Sequence, residues 1–256
     1  MKLFFRKSGD GQPLFILHGL FGSSDNWAGL AKQWSQYFTV YTVDLRNHGQ
    51  SPHSEEWNYS VMAEDLMELI AAENLRGVNL LGHSMGGKAA MRLALDFQQA
   101  LSKLIVSDIG TKKYPDNNRN VVDALLKVQP EKLTSRKEAE AILSANLQDP
   151  GTVQFLLKNL YWKETVSGKQ LGWRFNLGAI SKNLEAVGEA TNSPAPCEVD
   201  TLFIRGERSD YITAADEQEI KRVFPHSKIV TVPNAGHWVH ADNPQGMFNA
   251  VMEFCG

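Results

Sequence analysis

Gly82-His83-Ser84-Met85-Gly86 stands directly after an apolar run, 78–81, and directly before a stretch, 85–96, with helical spacing. As a bare string G-x-S-x-G is only moderately specific in a chain of 20 glycines; its place between strand and helix gives it meaning. A chain that turns from a buried strand into a helix at a single residue strains the backbone there. Glycines at 82 and 86 remove the side chains that would strike the neighbouring strand and helix. The Ser84 hydroxyl is thereby pushed into a cleft. The Met85 N–H, at the positive end of the helix, points where a tetrahedral oxyanion would form. Ser84 is thus the candidate nucleophile and Met85 a candidate oxyanion donor.

Outward from this turn, strands and helices alternate. Short runs at 3–6 and 14–17 flank Ser8-Gly9-Asp10-Gly11, which predicts a hairpin entering a sheet. Trp27, Leu30, Ala31 and Trp34 keep the i, i+3, i+4, i+7 spacing of one helical face, and 39–43 reads as a strand. A helix over 60–73, strand 78–81, helix 85–96 and strand 104–107 continue the pattern of a parallel α/β sheet. The alternation stops between Gly110 and about Pro196. Amphipathic helical stretches at 121–128, 137–147 and 153–160 follow one another there, with no clear buried strand. After Pro194-Ala195-Pro196 it resumes with strand 201–205, helix 214–224, strand 228–232 and helix 244–254. The expected organisation is a sheet core from 1–110 and 197–256, with a helical cap, 111–196, inserted after the strand that ends at Ser107. No internal repeat or low-complexity tract is present.

A serine nucleophile needs a second oxyanion donor and a base. His18-Gly19-Leu20-Phe21-Gly22 ends an earlier strand, and its glycine-lined turn can present a backbone N–H across from Ser84. Leu20 is the expected donor and Phe21 the alternative, while His18 reads as structural. The base expected is His237, in Asn234-Ala235-Gly236-His237-Trp238, because it combines a loop between the last strand and helix with the chain order Ser before His. The other histidines fit less well: His48, His53 and His226 lie in polar loops, His83 lies inside the turn, and His240 points elsewhere on the loop it shares with His237.

The bulk properties bound the partners. The 256 residues suit one large core or a core with an insertion, and 43% apolar with 21% charged residues is the composition of an ordinary globular protein. A net charge of −3, with Lys and Arg scattered, offers no basic stripe for a phosphate backbone, so nucleic acid is not an expected partner. Lys2, Arg6, Lys7 and Asp10 interrupt any apolar stretch that would serve as a signal peptide or membrane span, which predicts a cytoplasmic protein without stable membrane insertion. Cys197 and Cys255 fit neither a disulfide framework nor a metal spacing and read as core thiols. A monomer or small homo-oligomer is expected.

The set HGLFGSSDNW, DLRNHGQS, GHSMGGKAA, VSDIG and AGHWVHADNP resembles the bacterial YbfF-type esterases and their mitochondrial relatives within the α/β-hydrolase superfamily. The motifs run from His18 to Pro244 in matching order. The resemblance implies a mostly parallel eight-stranded sheet flanked by helices, a helical cap over the site, and no cofactor or metal. It also implies hydrolysis of short- to medium-chain acyl esters through an acyl-enzyme on Ser84, with acyl-CoA thioesters as a further substrate class. Most of the superfamily places the acid in a G-x-x-D turn, but this chain has Gly206-Glu207-Arg208-Ser209, with Ser209 where the carboxylate belongs. The family's other location, after the preceding strand, is filled by Asp108. Asp108 is therefore the expected acid, Ser209 its supporting hydroxyl, and Asp210 the reserve. Asp44-Leu45-Arg46-Asn47-His48-Gly49 resembles a family loop that is either a pocket wall or, by the more common rule, an Asp–Arg pair bracing a turn. Asn47 stands where glycine is more frequent, and asparagine tolerates a left-handed backbone. Trp162, Trp173 and Phe175 either line an acyl pocket or build the cap's own core. Dehalogenases and epoxide hydrolases of this fold carry aspartate at the elbow, so Ser84 argues against both. Carbon–carbon bond hydrolases, lyases and perhydrolases keep the serine triad, and the fold also serves non-catalytic binding.

Overall fold

In the computed structural model, which describes residues 1–116, 118–166 and 168–256, strand alternation sets the layers. The strands are β1 (Phe5–Ser8), β2 (Gln12–Leu17), β3 (Phe38–Val43), β4 (Val78–His83), β5 (Leu101–Ser107), β6 (Leu160–Thr165), β7 (Gly168–Trp173), β8 (Asp200–Gly206) and β9 (Ser227–Val232). Successive side chains on a strand point to opposite faces. Phe15, Leu17, Leu80, Leu104, Val106 and Phe203 accordingly join one apolar cluster, and Leu14, Ile16, Leu81, Ile105, Leu202 and Ile204 join the other. Helices α1 (Ala28–Trp34), α2 (Tyr59–Ala72) and α3 (Met85–Asp96) cover these faces. Met62, Ala63, Leu66, Leu69 and Ile70 of α2 and Met85, Ala89, Ala90, Met91, Leu93 and Ala94 of α3 lie in the first cluster; Leu30, Ala31 and Trp34 of α1 lie in the second with Trp27.

The main sheet has the order β1-β3-β2-β4-β5-β8-β9, parallel throughout except for the antiparallel edge pair β1–β3. It corrects two expectations. The runs on either side of residues 8–11 do not form a hairpin, because β3 lies between them. Gly9 and Gly11, at φ of +81° and +131°, carry the chain over the start of β3, so closely that a Cβ on Gly9 would lie 2.3 Å from the Phe38 and Ser35 carbonyl oxygens. The sheet also has seven strands among the described residues rather than eight. Beyond β3 only β1 is added, and its exposed residues Arg6, Lys7 and Ser8 end the sheet.

Between β5 and β8 the chain forms α4 (Arg119–Lys127), α5 (Arg136–Ser144), α6 (Pro150–Leu157), α7 (Leu177–Lys182) and α8 (Leu184–Val187). Asp149 caps α6 by accepting from the Thr152 and Gly151 N–H groups, and Pro150 fills the first position, where no amide donor is needed. This region is not wholly helical: β6 and β7 pair antiparallel as a separate two-stranded sheet. Only Leu160 of β6 is buried, so the strand carries no buried apolar run that would mark it. The last helices, α9 (Glu217–Val223), α10 (Val239–Asp242) and α11 (Pro244–Cys255), flank β9. Among the described residues no helix is long and apolar enough to cross a membrane. Both cysteines are free and buried.

Candidate active site

The parallel register brings several strand ends to one edge of the sheet. Leu17 pairs with Gly82, His83 with Ser107, and Ser107 with Ile204, so the residues that follow β2, β4, β5 and β8 emerge side by side. This carboxyl edge is where open α/β sheets place their ligands.

Ser84 occupies the turn between β4 and α3 at φ +52°, ψ −118°, a conformation that L-residues rarely adopt. The turn tolerates it because nothing larger than glycine fits beside it. A Cβ on Gly82 would lie 2.2 Å from the Gly86 carbonyl oxygen, and one on Gly86 would lie 2.5 Å from that of His18. The Ser84 N–H is held by the Ser107 carbonyl at 3.0 Å.

His237 Nε2 lies 3.0 Å from Ser84 Oγ, and its Nδ1 lies 2.8 Å from Asp108 Oδ2. An ionised carboxylate can only accept, so Nδ1 carries the proton and Nε2 is left to accept from the serine hydroxyl. Asp108 is fully buried one residue beyond β5, at φ +51°. Its Oδ1 accepts from the Gly206 N–H at 2.9 Å, and its Oδ2 also accepts from Ser209 Oγ. Asp210 is exposed and is not brought to His237. Ser84, Asp108, His237 and Ser209 are thus assembled in one hydrogen-bonded chain. Three donors converge on the buried Asp108 carboxylate, with no cationic side chain among them.

The Leu20–Phe21 turn distinguishes the two donor choices. The Phe21 N–H is committed to His48 Nε2 at 3.2 Å, and the Gly22 N–H to the Gly19 carbonyl at 2.9 Å. Among the described residues the Leu20 N–H has no such partner, and the Met85 N–H, as the first of α3, has no intrahelical one. His18 is structural: Nδ1 donates to the Gly19 carbonyl and Nε2 accepts from the Leu45 N–H. Burial pushes His18 down to about 4 and His48 down to about 3, so both are neutral braces of this loop.

Three contacts around the imidazole were not visible in sequence patterns. The Tyr211 ring stacks on His237 at 3.9 Å between centroids and 18° between planes. Tyr114 Oη accepts from the Gly110 N–H at 2.8 Å and donates to the Tyr211 carbonyl at 2.6 Å, tying the chain after β5 to the chain after β8. His83 Nε2 donates to the His237 carbonyl at 2.8 Å. His240 does not touch Ser84; it stacks on Trp27 and meets His83 edge-on.

A cavity of about 420 Å³ opens over Ser84 and His237, with Leu20, Val121, Phe155, Val187, Tyr211 and Trp238 among its walls. The Asp44–Gly49 loop does not line it. Arg46 pairs with Asp65 rather than Asp44, while Asp44 accepts from the Ser24 and Gln50 N–H groups, so each braces a loop separately. Asn47 adopts the left-handed φ of +66°. Trp162, Trp173 and Phe175 are also absent from the walls: Phe175 is buried against Trp173 and Phe21, and Trp162 is exposed. Among the described residues no group of three His, Cys, Asp or Glu side chains is placed to hold a metal ion.

Residues 12–244 match the protein family described as alpha/beta hydrolase fold. The chain is 41% identical over 251 residues to the sn-1-specific diacylglycerol lipase ABHD11 of Mus musculus, covering 94% of this chain and 80% of that protein. It is 32% identical to Esterase YbfF of Escherichia coli (strain K12), covering 94% and 92%. Among solved structures it resembles a marine microorganism esterase with a TM-score of 0.95 and 42% identity, covering 99% of each chain.

Proposed function

The chain belongs to the alpha/beta hydrolase fold family and is a carboxylic ester hydrolase; on that premise we propose that it works as a serine esterase through an acyl-enzyme on Ser84, with His237 as base and Asp108 as acid. The observation that carries this reading is the continuous contact from Ser84 Oγ through His237 to Asp108, at 3.0 and 2.8 Å. In acylation, Ser84 Oγ attacks the ester carbonyl as its proton passes to His237 Nε2. Asp108 balances the imidazolium, and Ser209 and the Gly206 N–H keep the carboxylate aimed at Nδ1. The Leu20 and Met85 N–H groups receive the oxyanion. His237 then protonates the departing alcohol, the alkoxide's bond to the acyl carbon breaks, and a water activated by the same imidazole releases the acid.

We assign residues 111–196 as the cap and the rest as the core. Val121 of α4 and Phe155 of α6 reach the cavity from this segment, which therefore contributes to the acyl wall. The volume of about 420 Å³ falls in the range of roughly 300–1,000 Å³ usual for small-molecule sites. Short- to medium-chain acyl groups are the proposed substrates. A thioester would follow the same acylation path, so acyl-CoA belongs in the same panel.

The test is hydrolysis of p-nitrophenyl and CoA esters across chain lengths by the wild type and Ser84→Ala, with fluorophosphonate labelling of both. Folded Ser84→Ala should lose several orders of magnitude in kcat and all labelling. Retained turnover, or labelling at another residue, would reject the assignment.

A further inference from the structure

The contact from His83 to the main chain of His237 has no part in the chemistry above. His83 precedes the nucleophile, yet it reaches 154 residues along the chain to donate Nε2–H to the His237 carbonyl oxygen at 2.8 Å. The carbonyl has no proton to offer, so this nitrogen of His83 is the protonated one. Among the described residues it is the only hydrogen bond to the main chain of His237. The neighbouring loop is anchored elsewhere, through the Arg208 N–H to the Ala235 carbonyl at 2.8 Å and the Gly236 N–H to Asp242 Oδ2 at 2.7 Å.

The ring itself has little room to move. It is 4% exposed, with the His237 ring 4.9 Å away at 44° and the His240 ring 4.9 Å away at 68°. A Cβ on Gly19 would lie 3.0 Å from His83 Nδ1, so the oxyanion loop closes the remaining side. We propose that His83 is a positioning residue: it locks the main chain of the base in register with the nucleophile, so that the Ser84 turn itself sets the reach of His237 Nε2. Burial, with the neighbouring histidines, holds His83 well below the usual imidazole range. It therefore donates as a neutral group, adding no charge beside an imidazolium.

This inference rests on His237 being the base, and one experiment separates the two. His83→Gln keeps an amide N–H near the position of Nε2, His83→Asn places its amide near Nδ1 and falls short, and His83→Phe fills the space without a donor. On one soluble p-nitrophenyl ester, His83→Asn and His83→Phe should lose about 10- to 100-fold in kcat with KM within about 3-fold. Fluorophosphonate labelling of Ser84 should slow in parallel, and His83→Gln should recover most of both losses. Should His83→Phe fail to fold, the Gln and Asn pair decides alone. Equal losses for Gln and Asn, a loss carried by KM, or full kcat in folded His83→Asn would overturn the proposal. Unlabelled wild type would instead sink the reading of Ser84 and His237.

Discussion

Asp108 sits at a left-handed φ one residue past β5, and Ser209 holds the place after β8 where a carboxylate is more common. The two ends are adjacent in the sheet, and the Ser209 hydroxyl meets Asp108 Oδ2, the same oxygen that His237 Nδ1 reaches. Either strand end can therefore serve the same nitrogen, which explains how an acid can move between them while the base stays fixed. Asp108→Asn should preserve the shape yet favour the wrong imidazole tautomer, lowering kcat by roughly 10³- to 10⁴-fold. Ser209→Ala should lose less, since a neutral hydroxyl steadies the carboxylate but cannot balance an imidazolium, and exposed Asp210→Asn should lose least. Assays at saturating ester, with circular dichroism for folding, read the order; a large loss at Asp210 with normal turnover at Asp108 overturns it. Ser84 and Met85 were legible because a five-residue string between strand and helix fixes their geometry. His237 followed from chain order, but Asp108 needed the family resemblance. Tyr114, Tyr211 and the His83 bond left no signal, since each depends on strand ends that only the sheet brings together.

At the scale of elements, the core strands were legible because their buried runs are both apolar and short. The segment between β5 and β8 was legible as helices, but its hairpin was not: β6 buries only Leu160 and lacks the alternation that a half-buried strand would show. The order of β1 and β2 was likewise hidden, because a glycine turn between two short runs looks the same whether or not a third strand comes between them. Among the described residues three helices of the 111–196 segment face the cavity, α4 through Val121, α8 through Leu184 and Val187, and α6 through Phe155, which packs on Trp238 at 5.5 Å. Filling that wall should shorten the acyl group accepted. Val121→Trp is expected to lower kcat/KM for an octanoyl ester by about 10-fold or more while leaving the acetyl ester within about 3-fold, since each methylene lost from an apolar pocket is worth about 1–3 kcal/mol. An unchanged ratio between the two esters would show that the acyl chain does not run toward α4.

Over the whole molecule, one apolar cluster runs without a break from the sheet through Phe21 and Ile109 to Val122, Leu156 and Ile180 of the insertion, so the two parts share a core. Buried histidines packed beside both apolar clusters should make the fold sensitive to acid. His18 accepts from the Leu45 N–H and His48 from the Phe21 N–H, so the nitrogen that would take a second proton is already occupied in each. His240 lies against Trp27, its Nδ1 buried and without a hydrogen-bond partner among the described residues. Burial is the leading cause in every case, holding His18 and His240 at about 4 and His48 at about 3. The sign follows from proton counts. Between the unfolded value of about 6.5 and these lowered values the unfolded chain binds more protons than the native one, so stability falls as pH falls through that window. Asp216, Glu138, Asp149 and Glu219 have lowered values too, but their contribution is lost only below about 4.5, where the unfolded carboxyls begin to protonate. The interval from pH 6.5 to 4.5 therefore belongs to the histidines. The urea midpoint should drop steadily across it, by up to about 1.4 kcal/mol per pH unit for each group, several kcal/mol against a typical total of about 5–15 kcal/mol. His240→Phe keeps the ring on Trp27 and removes one titrating group, so it should reduce the stability difference between pH 7 and pH 5 by about 1–2 kcal/mol. A midpoint constant from pH 7 to 4.5, or a His240→Phe slope equal to that of the wild type, would show that these rings accept their protons without disturbing the fold.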